Sequence, residues 1–92
     1  MRENKMKVYE FTLQNTHGLH ARPAGLFVQE CGKFQSSVAL FKGDTKVNGK
    51  SMLGLMKIAA SKGDQLKLEV EGADEEAALA ALKALIDNNF GE

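Results

Sequence analysis

The chain has no tryptophan, one cysteine, one proline and one tyrosine, and each shortage closes a route. A lone Cys31 cannot make an internal disulfide, and no paired-cysteine spacing offers a zinc site. No apolar run approaches the roughly 20 residues that a membrane-spanning helix needs. The opening segment, Met1-Arg2-Glu3-Asn4-Lys5-Met6, is charged and lacks the apolar stretch of a signal peptide. The expectation is a protein of the reducing cytoplasm, without membrane insertion. Net charge is missing too: 12 basic residues balance 12 acidic ones, whereas a general nucleic-acid binder carries a basic excess to neutralise phosphates. Linkers, repeats and low-complexity tracts are also absent. At 92 residues the chain is a single domain near the lower size limit for unaided folding. Residues 1–5 are expected to be a disordered N-terminal extension. So small a domain cannot enclose a deep active site, and its chemistry must lie near the surface without a cofactor or metal.

The zero net charge conceals an asymmetry. Residues 11–62 carry seven basic and two acidic side chains, a balance of +5, and residues 63–92 carry two basic and eight acidic, a balance of −6. A partner of the central segment is therefore expected to be acidic.

Two periodicities alternate along the chain. Tyr9, Phe11 and Leu13 recur at period two, as on a strand with one buried face, and Asn15-Thr16-His17-Gly18 ends that pattern. From Ala21, the positions Ala24, Phe27, Val28 and Cys31 form one helical stripe, with Gly32 as its stop, so Cys31 belongs in the core. Val38 and Leu40 begin a second strand, Gly43-Asp44 turns the chain, and Val47 lies on the returning strand. Ser51 caps a short helix running from Met52 toward Ala60. Leu66, Leu68 and Val70 alternate in a fourth strand, and Asp74 caps a final helix with Ala78, Leu82 and Leu85 on its inner face. The order βαββαβα predicts an α+β fold: a four-stranded antiparallel sheet with three helices on one face and a largely polar opposite face.

The chemistry concentrates in His17-Gly18-Leu19-His20-Ala21-Arg22-Pro23-Ala24. A proline in the first turn of a helix costs no hydrogen bond, so Pro23 puts His20 at or beside the N-cap. The first-turn amides of Ala21, Arg22 and Ala24 then point toward any anion held by the ring. A neutral imidazole is a nucleophile, and after phosphorylation the same amides and the Arg22 guanidinium would stabilise the new charge. A surface histidine that merely caps the helix fits the same pattern, and the residues alone leave both readings open. His17 and His20 make only half of a metal site.

In the second informative stretch, Ser51 to Met56, four large apolar residues crowd a helix that can bury only part of them. Leu55 and Ile58 share an inner face, which leaves Met52, Leu53 and Met56 as an exposed patch suited to docking. The Ser51 hydroxyl, beside Lys50, is both a helix cap and a candidate phosphorylation site.

The segment from Gly18 to Ala24, followed by Gly49-Lys50-Ser51-Met52-Leu53-Gly54-Leu55-Met56, resembles the HPr family of histidine-containing phosphocarriers of the bacterial phosphoenolpyruvate-dependent sugar phosphotransferase system. The likeness covers the chain from about Met6 to Gly91, including the separation of the two motifs. It implies an open-faced β-sandwich and a monomeric carrier rather than an enzyme with its own turnover. His20 would be phosphorylated on Nδ1 by phospho-enzyme I and would pass the group to the EIIA domains of sugar permeases. Arg22 would be the phosphate's partner, and Pro23, between Ala21 and Ala24, would shape the helix start. Ser51 would be the target of a regulatory HPr kinase/phosphorylase, with a catabolite control protein as a further partner. Met52, Leu53, Gly54 and Met56 would form the docking surface. His17, Gly25, Gly32 and Gly49 depart from the family's usual residues, and His20 separates the chain from the paralogue Crh, which has glutamine there. The alternatives that the resemblance leaves are an adaptor controlled through Ser51 and a carrier in a nitrogen-related branch.

Overall fold

Period-two alternation becomes four strands and the two helical stripes become packed helices in the structure, a computed structural model that describes residues 6–91. The expected extension at residues 1–5 lies outside the described residues. The order is β1 (Lys7–Thr12), α1 (Ala21–Cys31), β2 (Ser37–Lys42), β3 (Thr45–Asn48), α2 (Met52–Ile58), β4 (Gln65–Glu71) and α3 (Glu75–Asp87), closed by a 3-10 turn at Asn89–Gly91. All pairings are antiparallel and the strands lie in the order β1-β4-β2-β3. The first and last strands are therefore partners, and the hairpin β2–β3 is sewn to them through β4.

The register explains the two faces. Leu68 lies between Tyr9 and Leu40, and Val70 beside Val38, so the inward residues form continuous rows beneath the helices. Phe27 and Cys31 of α1, Leu55 and Ile58 of α2, and Ala78, Leu82 and Ile86 of α3 complete this core. On the outer face, Glu10, Lys67 and Glu69 give the expected polarity, but Phe41 also lies there, with the Lys67 ammonium 4.6 Å from its ring centroid.

Local reading and tertiary packing part company at three places. The inner row of α3 runs through Ile86, with Leu85 only half-buried, because the helix ends by turning Phe90 into the core against Phe27. Asp74 occupies the N-cap of α3 but makes no capping hydrogen bond. Its carboxylate instead accepts from the Ser36 hydroxyl and from the amides of Gln35 and Ser36, strapping the α1–β2 connection to α3. Glu75 takes over at the helix start: it is buried and accepts from the Gly72 amide at 3.0 Å. Finally, α2 stops at Ile58, because Ala59 turns into the left-handed region with φ 52°.

Candidate functional site

The site begins where β1 hands the chain to α1. Gly18 has φ +69°, and a Cβ there would lie 2.5 Å from the Ala60 carbonyl oxygen, so only glycine fits. Hydrogen bonds fix the loop on both sides: the Gly18 amide donates to the Asn15 carbonyl, and the Leu19 amide donates to the Ala60 carbonyl, each at 3.0 Å. Asn15 is itself buried, and its Nδ2 donates to the Asn89 carbonyl at 3.0 Å. This anchor on the C-terminal turn is invisible in the sequence, since 74 residues separate the partners.

His20 is the N-cap of α1, with an extended backbone (φ −83°, ψ −171°), and its carbonyl accepts the Ala24 amide at 2.9 Å. That bond corrects one expectation: the Ala24 amide belongs to the helix and is not available to an anion. The N–H groups of Ala21 and Arg22 precede any carbonyl the helix could offer them, so they are the backbone donors at this end. The His20 side chain makes no capping hydrogen bond, which leaves the half-buried ring to other chemistry. Pro23 and Ala24 are buried and fasten the helix start to the core, whereas Ala21 and Arg22 are exposed. The arrangement therefore sets one half-buried imidazole and two backbone N–H groups at an accessible helix start, with the exposed Arg22 two residues on. The His17 ring stands 5.7 Å from that of His20, centroid to centroid, with the planes at 84°. Among the described residues no cluster of three metal-ligating side chains occurs.

The second motif lies on α2. Ser51 caps the helix, its Oγ accepting the Gly54 amide at 3.1 Å. Lys50 is tied down, its Nζ donating to the Phe34 carbonyl at 2.8 Å. Met52 and Met56 are exposed and Leu53 is 83% exposed, while Leu55 and Ile58 are buried, which is the division expected from the crowding. Gly54 plays a different part from its apolar neighbours. A Cβ there would lie 3.3 Å from Val47 Cβ, so glycine serves the close approach of α2 to β3. Gly49 is likewise explained by packing, because Val38 and Phe27 fill the space a side chain would need. The two motifs are joined through Ala60, which follows α2 and holds the loop leading to His20.

Comparison with known proteins places this geometry. The family described as the PTS HPr component phosphorylation site matches residues 8–88. The phosphocarrier protein HPr of Neisseria meningitidis is 50% identical over 78 residues, which span 85% of this chain and 88% of that protein. The crystal structure of HPr-C-His from Thermoanaerobacter tengcongensis superposes with a TM-score of 0.90 at 48% identity, covering 94% of this chain and 97% of that one. Crh of Bacillus subtilis, whose structure is described as a swapped dimer, superposes with a TM-score of 0.73 at 44% identity over 86% of this chain and 91% of its own. The two motifs, their separation and the βαββαβα frame that holds them thus have one source: the chain belongs to the HPr family of phosphocarrier proteins.

Proposed function

We propose that His20 is the acceptor and donor of the phosphoryl group this carrier transports. The chain would receive the group from phospho-enzyme I, charged by phosphoenolpyruvate, and deliver it to EIIA domains of sugar permeases. The observation that carries the assignment is the half-buried His20 ring at the start of α1, free of any capping bond and adjacent to the Ala21 and Arg22 amides. In the transfer, a His20 nitrogen lone pair attacks phosphorus as the bond from phosphorus to the donor protein's nitrogen breaks, and the electron pair leaves with the donor imidazole. The neutral ring is the nucleophile. Arg22, long and exposed, then pairs with the phosphoryl oxygens, and the oriented amides add fixed partial charge. Pro23 and Ala24 hold the helix start in place during both transfers.

A carrier that is a reactant in two transfers, with no turnover of its own, needs an open site and a surface that several proteins can use. Met52, Leu53 and Met56 supply that surface, with Gly54 letting the helix sit close to the sheet beneath them. The +5 balance of residues 11–62 favours acidic partners. A phosphate on Ser51 would add roughly −1.5 to −2 charges beside the patch and weaken docking to such partners. This makes Ser51 the regulatory residue, read by a kinase/phosphorylase and a catabolite control protein. The carrier would work in the cytoplasm as a monomer. Incubation with enzyme I and phosphoenolpyruvate, followed by mass spectrometry, tests the assignment: one acid-labile phosphate at His20, absent from His20→Ala, is expected. No transfer from enzyme I to His20, together with an acid-stable phosphate placed on Ser51 by an ATP-dependent kinase, would overturn it in favour of an adaptor.

A further inference from the structure

We infer that Asn15 is a positioning residue for phosphoryl transfer: its side chain locks the loop before His20 and the helix after it onto one C-terminal turn. The inference rests on the assignment of His20 as acceptor and adds a residue that touches neither the phosphate nor a partner.

Asn15 is 1% exposed, and its Nδ2 donates to the Asn89 carbonyl at 3.0 Å. That carbonyl sits between two residues in the left-handed region, Asn89 with φ 52° and Phe90 with φ 54°. Asparagine tolerates this conformation, whereas phenylalanine adopts it only where the surroundings hold it there. Two contacts do so. The Asn15 amide takes the carbonyl, and the buried Phe90 ring lies 6.3 Å, centroid to centroid, from that of Phe27.

These contacts close a circuit around His20. Phe27 belongs to α1, the helix that His20 starts. Asn15 belongs to the loop that leads into His20, and its own carbonyl accepts the Gly18 amide at 3.0 Å. The chain on either side of His20 is thus tied to the same turn, 74 residues from Asn15. Burying an amide is a poor route to stability here, because its Oδ1 has no partner among the described residues, and an apolar side chain would incur no such cost. What only the amide supplies is the directed bond. A carrier without an enclosing pocket must present one ring in one pose to two successive partners, and fixing the backbone on both flanks of that ring does this.

The test compares transfer from phospho-enzyme I to the native chain, Asn15→Ala and Asn15→Thr, whose hydroxyl is one bond shorter than the amide and falls short of Asn89. Val70→Ala is the stability control, a truncation of a buried β4 residue that pairs with Lys7 and Val38, far from the loop. Both Asn15 variants are expected to lose about tenfold in maximal rate, with the half-saturating carrier concentration changed less than about twofold, because the α2 patch still docks. Val70→Ala should lower the thermal midpoint at least as far and keep the rate within about twofold. The amide resonances of Gly18, Leu19 and Phe90 should shift together in the Asn15 variants and stay in place in Val70→Ala. Native rates in the Asn15 variants, an equal loss in Val70→Ala, or unmoved Gly18 and Leu19 resonances would overturn the inference. Phosphoramidate repeats the comparison without enzyme I: a His20 nitrogen attacks phosphorus, the donor's P–N bond breaks and ammonia leaves. If the native chain accepts from phosphoramidate but not from enzyme I, the carrier assignment falls. Slower Asn15 variants with phosphoramidate would then still support the positioning role, and equal rates would overturn it. A native chain that accepts from neither donor overturns both.

Discussion

Adding one methyl group at Gly49 should destabilise this protein, although alanine is ordinarily the better residue. An ideal Cβ at that position falls 2.6 Å from Val38 Cγ1, 3.1 Å from Val38 Cβ and 3.1 Å from Phe27 Cε2. Favourable carbon contacts lie near 3.5–4.0 Å, so the closest pair is short by about 1 Å. Neither neighbour yields easily. Val38 is 4% exposed on β2, and the Gly49 amide itself donates to the Val38 carbonyl at 2.8 Å, which fixes the two backbones together. Rotating the valine moves Cγ1 but leaves Cβ in place, and β-branched side chains resist that rotation. Phe27 is 1% exposed and packs against Phe90. Overpacking of this kind costs about 1–3 kcal/mol, and the loss of unfolded-state freedom on replacing glycine offsets about 0.4–1 kcal/mol of it. Gly49→Ala should therefore lose about 1–2 kcal/mol, a fall of about 5–10 °C in the thermal midpoint of a domain this size. The assay is thermal and urea unfolding of Gly49→Ala, Val38→Ala and the double variant. The double variant should be more stable than the sum of the single losses by at least about 1 kcal/mol, because the new methyl occupies space the valine vacates. Full native stability in Gly49→Ala, or additive single effects, would refute the reasoning.

Four further outcomes follow from other parts of the molecule. Ser51→Ala removes the acceptor of the Gly54 amide and should cost about 1 kcal/mol in unfolding experiments, whereas Leu53→Ser, at an exposed position, should leave stability within about 0.5 kcal/mol yet weaken enzyme I binding about tenfold in calorimetry. Burial pushes the Cys31 thiol up to about 12, so a thiol-specific disulfide reagent at about pH 8 should label the native protein only after denaturant opens the core. The Ser36 hydroxyl and the Gln35 and Ser36 amides hold the Asp74 carboxyl below the usual carboxylate range. Its stabilising effect is therefore complete above the unfolded value of about 3.9 and disappears as pH falls through the lower folded value, so Asp74→Asn should flatten the acid limb of the stability curve.

What the sequence disclosed was whatever the chain decides within a few residues. Pro23 in a first turn locates His20 at the helix start, Ser51 caps α2, and the crowding from Met52 to Met56 forces an exposed apolar patch, all without long-range information. The strand and helix periods gave the fold class for the same reason, since each element's buried side must face the others. What stayed hidden depends on partners distant in the chain. Asp74 looks like a cap because local spacing allows it, yet Ser36, 38 residues away, supplies donors that hold its carboxylate. Asn15 reads as a loop residue and is a buried anchor, and Phe90 lies beyond any periodic stripe yet completes the core beside Phe27. Gly49 has no local reason legible in the sequence, and only the three-dimensional closeness of Val38 and Phe27 shows why nothing larger fits.

The most direct test follows one phosphoryl group through the protein. The chain, phosphorylated by enzyme I and phosphoenolpyruvate and then purified, is chased with an unphosphorylated EIIA domain while phosphorus NMR tracks the label. The account predicts a phosphohistidine signal at His20 that disappears as an equal amount of phosphate arrives on EIIA, with neither step occurring in His20→Ala. A phosphate that never reaches His20, or one that remains there in the presence of EIIA, would contradict it.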